Sequence, residues 1–126
     1  MKTQRILPAL ILATLSGLAQ ADINIGVSVS ATGPAASLGI PEKNTFAILP
    51  TTIAGEKVNY IVLDDASDTS TATSNARKLI TEHKVDVILG SSTTPNSLAM
   101  VDIVAENQTP TISLAASSRV IEPMDA

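Results

Sequence analysis

Ser91, Ser92, Thr93 and Thr94 are four consecutive hydroxyl side chains, set after an apolar run and Gly90 and before Pro95. Two other stretches, residues 30–37 and 115–118, are also rich in serine and small residues. Uncharged hydroxyls beside unpaired backbone N–H groups suit holding a small anionic or zwitterionic molecule. They do not suit converting it, because a serine needs a base to become a nucleophile. The chain has one histidine, His83. Its position, in the last turn of an expected helix, is at the far edge of the fold from the serine stretches, and no G-x-S-x-G elbow accompanies it. Gly90-Ser91-Ser92 lacks the lysine of a phosphate-binding loop.

The acidic run Asp64, Asp65 and Asp68 is the other group that could do chemistry. It lacks the loop length and closing glutamate of a calcium site. Capping of a helix at Ser70, with the favourable dipole at its start, accounts for these acids without a metal. Asp64 and Asp65 are adjacent on a strand and therefore point to opposite faces, which excludes a paired acid and base.

The elements that must position these residues follow from periodicity. Ile23, Ile25, Val27 and Val29 alternate with small or polar residues, so a strand is expected over 23–30. Further strands are expected over 58–63, 85–89 and 110–114. Helices are expected over 41–53, with Phe46, Leu49 and Ile53 on one face, and over 70–84, with Ala72, Ala76, Leu79 and Ile80 inward. A last helix is expected over 95–107, carrying Leu98, Val101, Ile103, Val104 and Ala105. Pro50 should kink or end the first helix. Strand and helix alternate throughout, which predicts an α/β fold: one parallel sheet with helices on both faces, in flavodoxin-like order. All three hydroxyl-rich stretches then leave the same edge of the sheet.

Composition narrows the function. Lys2 and Arg5, an apolar stretch over 6–18 and the sequence Ala19-Gln20-Ala21 read as an export signal, residues 1–21, cleaved after Ala21. The expected location is the periplasm. The chain has no cysteine, so it has no disulfide, no thiolate metal site and no cysteine for a lipid anchor. Without the signal, six basic residues face twelve acidic ones, which argues against nucleic acid and anionic membranes as partners. With one Phe and one Tyr there is little to build a stacking platform. No cofactor is expected.

On these residues the chain resembles the N-terminal part of type I periplasmic solute-binding proteins of ABC importers, in particular the branched-chain amino acid (leucine/isoleucine/valine) receptors. The resemblance is carried by INIGVSVSATGPAASLG at 23–39, YIVLDDASD at 60–68, VDVILGSSTTPNSLA at 85–99 and PTISLAASS at 110–118. It implies a receptor that closes on an amino acid or related carboxylate and docks, as a monomer, on a permease in the inner membrane. By position it implies ligand contacts from Ser92, Thr93 and Thr94 in one loop and Ala115, Ala116 and Ser117 in another, with Leu38 flanking the solute's side chain. Members of the family are much longer, so residues 22–126 are expected to form part of an N-terminal lobe. A sensor ectodomain of the same fold, or a non-functional fragment, is the alternative; an exported hydrolase has little support, with its one histidine misplaced.

Overall fold

The structure is a computed structural model and describes residues 22–122. The expected signal, 1–21, and its cleavage point lie outside the described residues. The elements run β1 (Ile23–Val29), α1 (Ala36–Phe46), β2 (Thr52–Ile53), β3 (Glu56–Asp64), α2 (Thr69–Thr81), β4 (Val87–Gly90), α3 (Thr94–Glu106), β5 (Thr111–Ile112) and a 3-10 turn (Ser118–Val120).

The sheet order is β2-β3-β1-β4-β5. The pairs β1–β3, β1–β4 and β4–β5 are parallel, as the alternation predicts. Only β2 departs, pairing antiparallel with the start of β3. Ala54 and Gly55, both at positive φ, form the two-residue turn of that hairpin.

The hairpin corrects the first helix. It was expected over 41–53, yet α1 starts at Ala36 and ends at Phe46, so Pro41 lies inside it. Its first turn is fixed instead by backbone bonds from Ala36 to Gly33 and from Leu38 to Ala35. Pro50 disfavours helix for the residue before it, and Ile53 becomes an exposed strand residue. Phe46 then packs on Tyr60, ring centroids 6.0 Å apart, and the Tyr60 hydroxyl donates to the Pro50 carbonyl at 3.0 Å. Both aromatic side chains are spent on anchoring α1.

Alternation along β1 divides the core in two. Val27 and Val29, with Ala31, Ile25, Val62 and Leu89, face α1 through Phe46. On the other face Ala72, Ala76 and Leu79 of α2 pack on Ile88, Met100 and Ile103. Helix α2 has the inward residues its periodicity predicts. Helix α3 is rotated from expectation: Asn96, Ser97, Met100 and Ile103 are buried, Leu98 and Val101 are half-buried, and Ala105 is exposed. The reason is polar, since Ser97 turns inward to bond the loop after β4.

Candidate functional site

Because β1, β3, β4 and β5 are parallel, their carboxyl ends share one edge, where open α/β sheets bind ligands. The loops there are held by an acidic residue whose role the sequence reading missed. Asp65 is fully buried. Its Oδ1 accepts from Ser30 Oγ at 2.7 Å and from the Ser67 N–H at 3.0 Å. Its Oδ2 accepts from Ser91 Oγ at 2.5 Å and from Ser28 Oγ at 3.2 Å. Four donors fill the acceptor capacity of one carboxylate. The ends of β1, β3 and β4 are thereby tied at one point.

Two glycines permit this convergence. A Cβ on Gly90 would lie 2.0 Å from the Ser28 carbonyl oxygen, and its φ of +132° disfavours any side chain. A Cβ on Gly39 would lie 2.2 Å from the Ser30 carbonyl, so α1 can cross the end of β1 only with glycine there.

The other two acids do separate work. Asp64 accepts from the Thr32 N–H at 3.2 Å, the Thr32 hydroxyl at 2.7 Å and the Ala66 N–H at 2.8 Å, which fixes the first loop. Burial works against its charged form, but these bonds outweigh it and hold the carboxyl below its ordinary range. Asp68 caps α2, the capping role expected for this acidic run, accepting from the Thr71 N–H at 2.7 Å. That bond and one from the Thr71 hydroxyl lower its pKa as well. Among the described residues no group of acids or histidine could hold a metal ion. His83 lies just past the α2 C-cap, at the opposite edge of the sheet.

A chain of serines joins the remaining loops. Ser97 Oγ accepts from the Ser91 N–H at 3.0 Å and donates to the Ser91 carbonyl at 3.1 Å. Ser113 Oγ donates to Ser97 Oγ at 2.9 Å and accepts from the Ala115 N–H at 3.1 Å. Ser92 Oγ accepts from the Ser30 N–H at 2.9 Å and donates its proton to the Glu42 carboxylate. Most hydroxyls at this edge are therefore committed to holding the loops together. Thr93 and Thr94 differ: Thr93 starts α3 without a side-chain cap bond, and neither hydroxyl has a partner among the described residues.

Between these loops lies a concavity of about 400 Å³. Leu38, Ser92, Thr93, Thr94, Ala115 and Ala116, six of the residues singled out from the sequence, line it. Glu42 and Leu114 complete the lining, and neither was anticipated. A signal for Glu42 existed in its spacing, one helical turn after Leu38 on the same face. Ser117 is placed one step along the loop, where its backbone opens the 3-10 turn, and it is absent from the lining. Leu38 and Leu114 are half-exposed and give the rim an apolar side. A larger hollow of about 810 Å³ runs along the outer flank of α3, lined by Leu98, Val101 and Ala105 among others. It shares no lining residue with the smaller concavity, although Gly90, Ser97 and Ser113 line it.

The site can hold a small polar solute, since two hydroxyls without partners at the start of α3 share its lining with two leucine side chains.

Known proteins share this fold. A family model described as periplasmic binding protein matches residues 22–124. No curated protein matches the chain. An extracellular ligand-binding receptor from Rhodopseudomonas palustris HaA2 is 53% identical with a TM-score of 0.80, over 82% of this chain and 29% of its own length. A solute-binding protein of an ABC transporter from Rhodopseudomonas palustris BisB5, solved with 3,4-dihydroxybenzoic acid, is 31% identical with a TM-score of 0.75, over 80% of this chain and 29% of its own. A leucine-binding protein from Thermotoga maritima MSB8 is 27% identical with a TM-score of 0.75, over 80% of this chain and 30% of its own. The chain thus spans less than a third of the length of these relatives.

Proposed function

The chain belongs to the periplasmic binding protein family, and from that premise we propose that it serves as the solute-binding component of an ABC importer, taking an amino acid or a related small carboxylate. The observation that carries the reading is the concavity at the carboxyl edge of the sheet, where Thr93 and Thr94 at the start of α3 share the lining with Leu38 and Leu114. A carboxylate sits against the hydroxyls and N–H groups of 92–94. The apolar body lies toward the leucines, with Ala115 and Ala116 closing the side and Ser117 one step beyond. Leucine and 3,4-dihydroxybenzoate, associated with two of the relatives, share a carboxylate on a largely hydrocarbon body.

The export signal over 1–21 delivers the protein to the periplasm, and the partner is a permease of the inner membrane, met by a monomer. No step of the cycle breaks a covalent bond in the solute, in keeping with a His83 that sits across the sheet from every hydroxyl loop. Titration calorimetry of the chain with L-leucine, L-isoleucine and 3,4-dihydroxybenzoate tests the reading. Saturable one-to-one heat with at least one solute is expected, and its loss in Thr93→Ala/Thr94→Ala. A folded sample that gives no heat with any of them overturns it.

A further inference from the structure

The concavity carries one charged side chain, and it is negative. Glu42 projects from α1 onto Ser92, one helical turn after Leu38, and lines the same space as Thr93, Thr94 and Leu114. Among the described residues its only partner is the Ser92 hydroxyl, bound to Oε2, while Oε1 has none. No lysine or arginine lines the concavity. The ion pair of the described residues, Lys57 with Asp22, lies at the start of β1 and β3, the other end of the sheet.

A carboxylate in a partly enclosed site needs hydrogen-bond donors for its remaining lone pairs. Ser92 has one proton and has given it; its oxygen accepts from the Ser30 N–H. Nothing else in the wall supplies a donor to Oε1. A solute that fills the concavity removes water from it and must replace the water's hydrogen bonds or leave the carboxylate unpaired.

We infer, resting on the solute-binding reading above, that Glu42 is a specificity-determining residue: it accepts a hydrogen bond from an ammonium or hydroxyl group of the solute and disfavours acids that lack such a donor. The solute's own carboxylate is kept to the Thr93–Thr94 side by the same charge. Selectivity then comes from a cost imposed on the wrong solute as much as from a contact with the right one.

Titration calorimetry of the chain with two matched pairs tests this. One pair is L-leucine and 4-methylpentanoate, which lacks only the amino group. The other is 3,4-dihydroxybenzoate and benzoate, which lacks the hydroxyls. In at least one pair the donor-bearing member is expected to bind about tenfold or more tightly, the size of one hydrogen bond to a charged acceptor. Glu42→Ala should bring that ratio to within about threefold. Glu42→Gln separates the sources: it should weaken an ammonium ligand about as much as Glu42→Ala does, yet leave a hydroxyl ligand largely unaffected, since an amide oxygen still accepts. Equal affinities within both pairs in the unaltered chain overturn the inference without any variant. So does an undiminished ratio in a Glu42→Ala chain that melts like the parent. Failure to bind any of the four sinks the solute-binding reading itself, a different outcome from binding without discrimination.

Discussion

Replacing Asp65 with alanine is expected to loosen the whole carboxyl edge of the sheet at once. The carboxylate accepts four hydrogen bonds while fully buried, from Ser28, Ser30, Ser91 and the Ser67 N–H. Truncation leaves four donors around a small polar hole. A water can enter such a hole and satisfy roughly two of them. The remaining donors each lose about 1–3 kcal/mol of solvation, and the released burial cost of the carboxylate offsets part of that. The net loss is about 3 kcal/mol, against a total stability of about 5–15 kcal/mol for a domain. For a domain of this size that lowers Tm by about 10–20 °C.

Asp65→Asn should lose about half as much, because the amide oxygen can keep Ser30 and Ser67 while its NH2 donates to Ser28 and Ser91 hydroxyls that rotate to accept. Ser91→Ala should cost more than Ser28→Ala, following bond lengths of 2.5 and 3.2 Å. Urea unfolding of the four variants, followed by circular dichroism, measures each difference. An Asp65→Ala loss below about 1 kcal/mol would refute the claim that this carboxylate ties the strand ends.

Other perturbations address separate links. Gly39→Ala should destabilise by about 1–3 kcal/mol despite the better helix propensity of alanine, since its Cβ meets the Ser30 carbonyl; a gain in Tm would contradict the close approach of α1 and β1. Leu79→Ala, at a fully buried position between α2 and the sheet, should cost about 2–5 kcal/mol by denaturant titration, and an unchanged midpoint would mean the core is elsewhere. The lowered pKa values of Asp64 and Asp68 mean that both contribute stability above their ordinary pKa of about 4, lost as pH falls through the lower folded values. Melting curves from pH 6 downward should therefore fall below about pH 4, less steeply in Asp64→Asn and Asp68→Asn; identical slopes in parent and variants would refute the link.

Much of this architecture is local and therefore legible in the chain. Alternation in 23–29 and the three-to-four spacing of Ala72, Ala76 and Leu79 each depend on residues within one or two turns. A parallel sheet then follows, because alternating strands and helices can bury their apolar faces in few ways. The same alternation brings the three hydroxyl-rich exits to one edge before any coordinates are known, and six of the seven singled-out residues do line one concavity.

Tertiary structure alone decided what the hydroxyls at that edge are doing. Whether a serine is free for a ligand depends on partners far away in the chain, and here those partners lie dozens of positions off: Ser91 to Asp65, Ser92 to Glu42 and to Ser30. No periodicity reports such pairings, so Asp65 read as a helix-start acid and Glu42 went unremarked. The inward turn of Ser97 on α3 has the same origin, since it bonds a loop that local patterning cannot see. The sequence determined which edge of the sheet gathers the hydroxyl-rich loops. Three-dimensional contact decided which hydroxyls are committed to partners and which carboxylate lines the concavity beside them, because a hydrogen bond is a property of two residues and a hydroxyl has one proton to give.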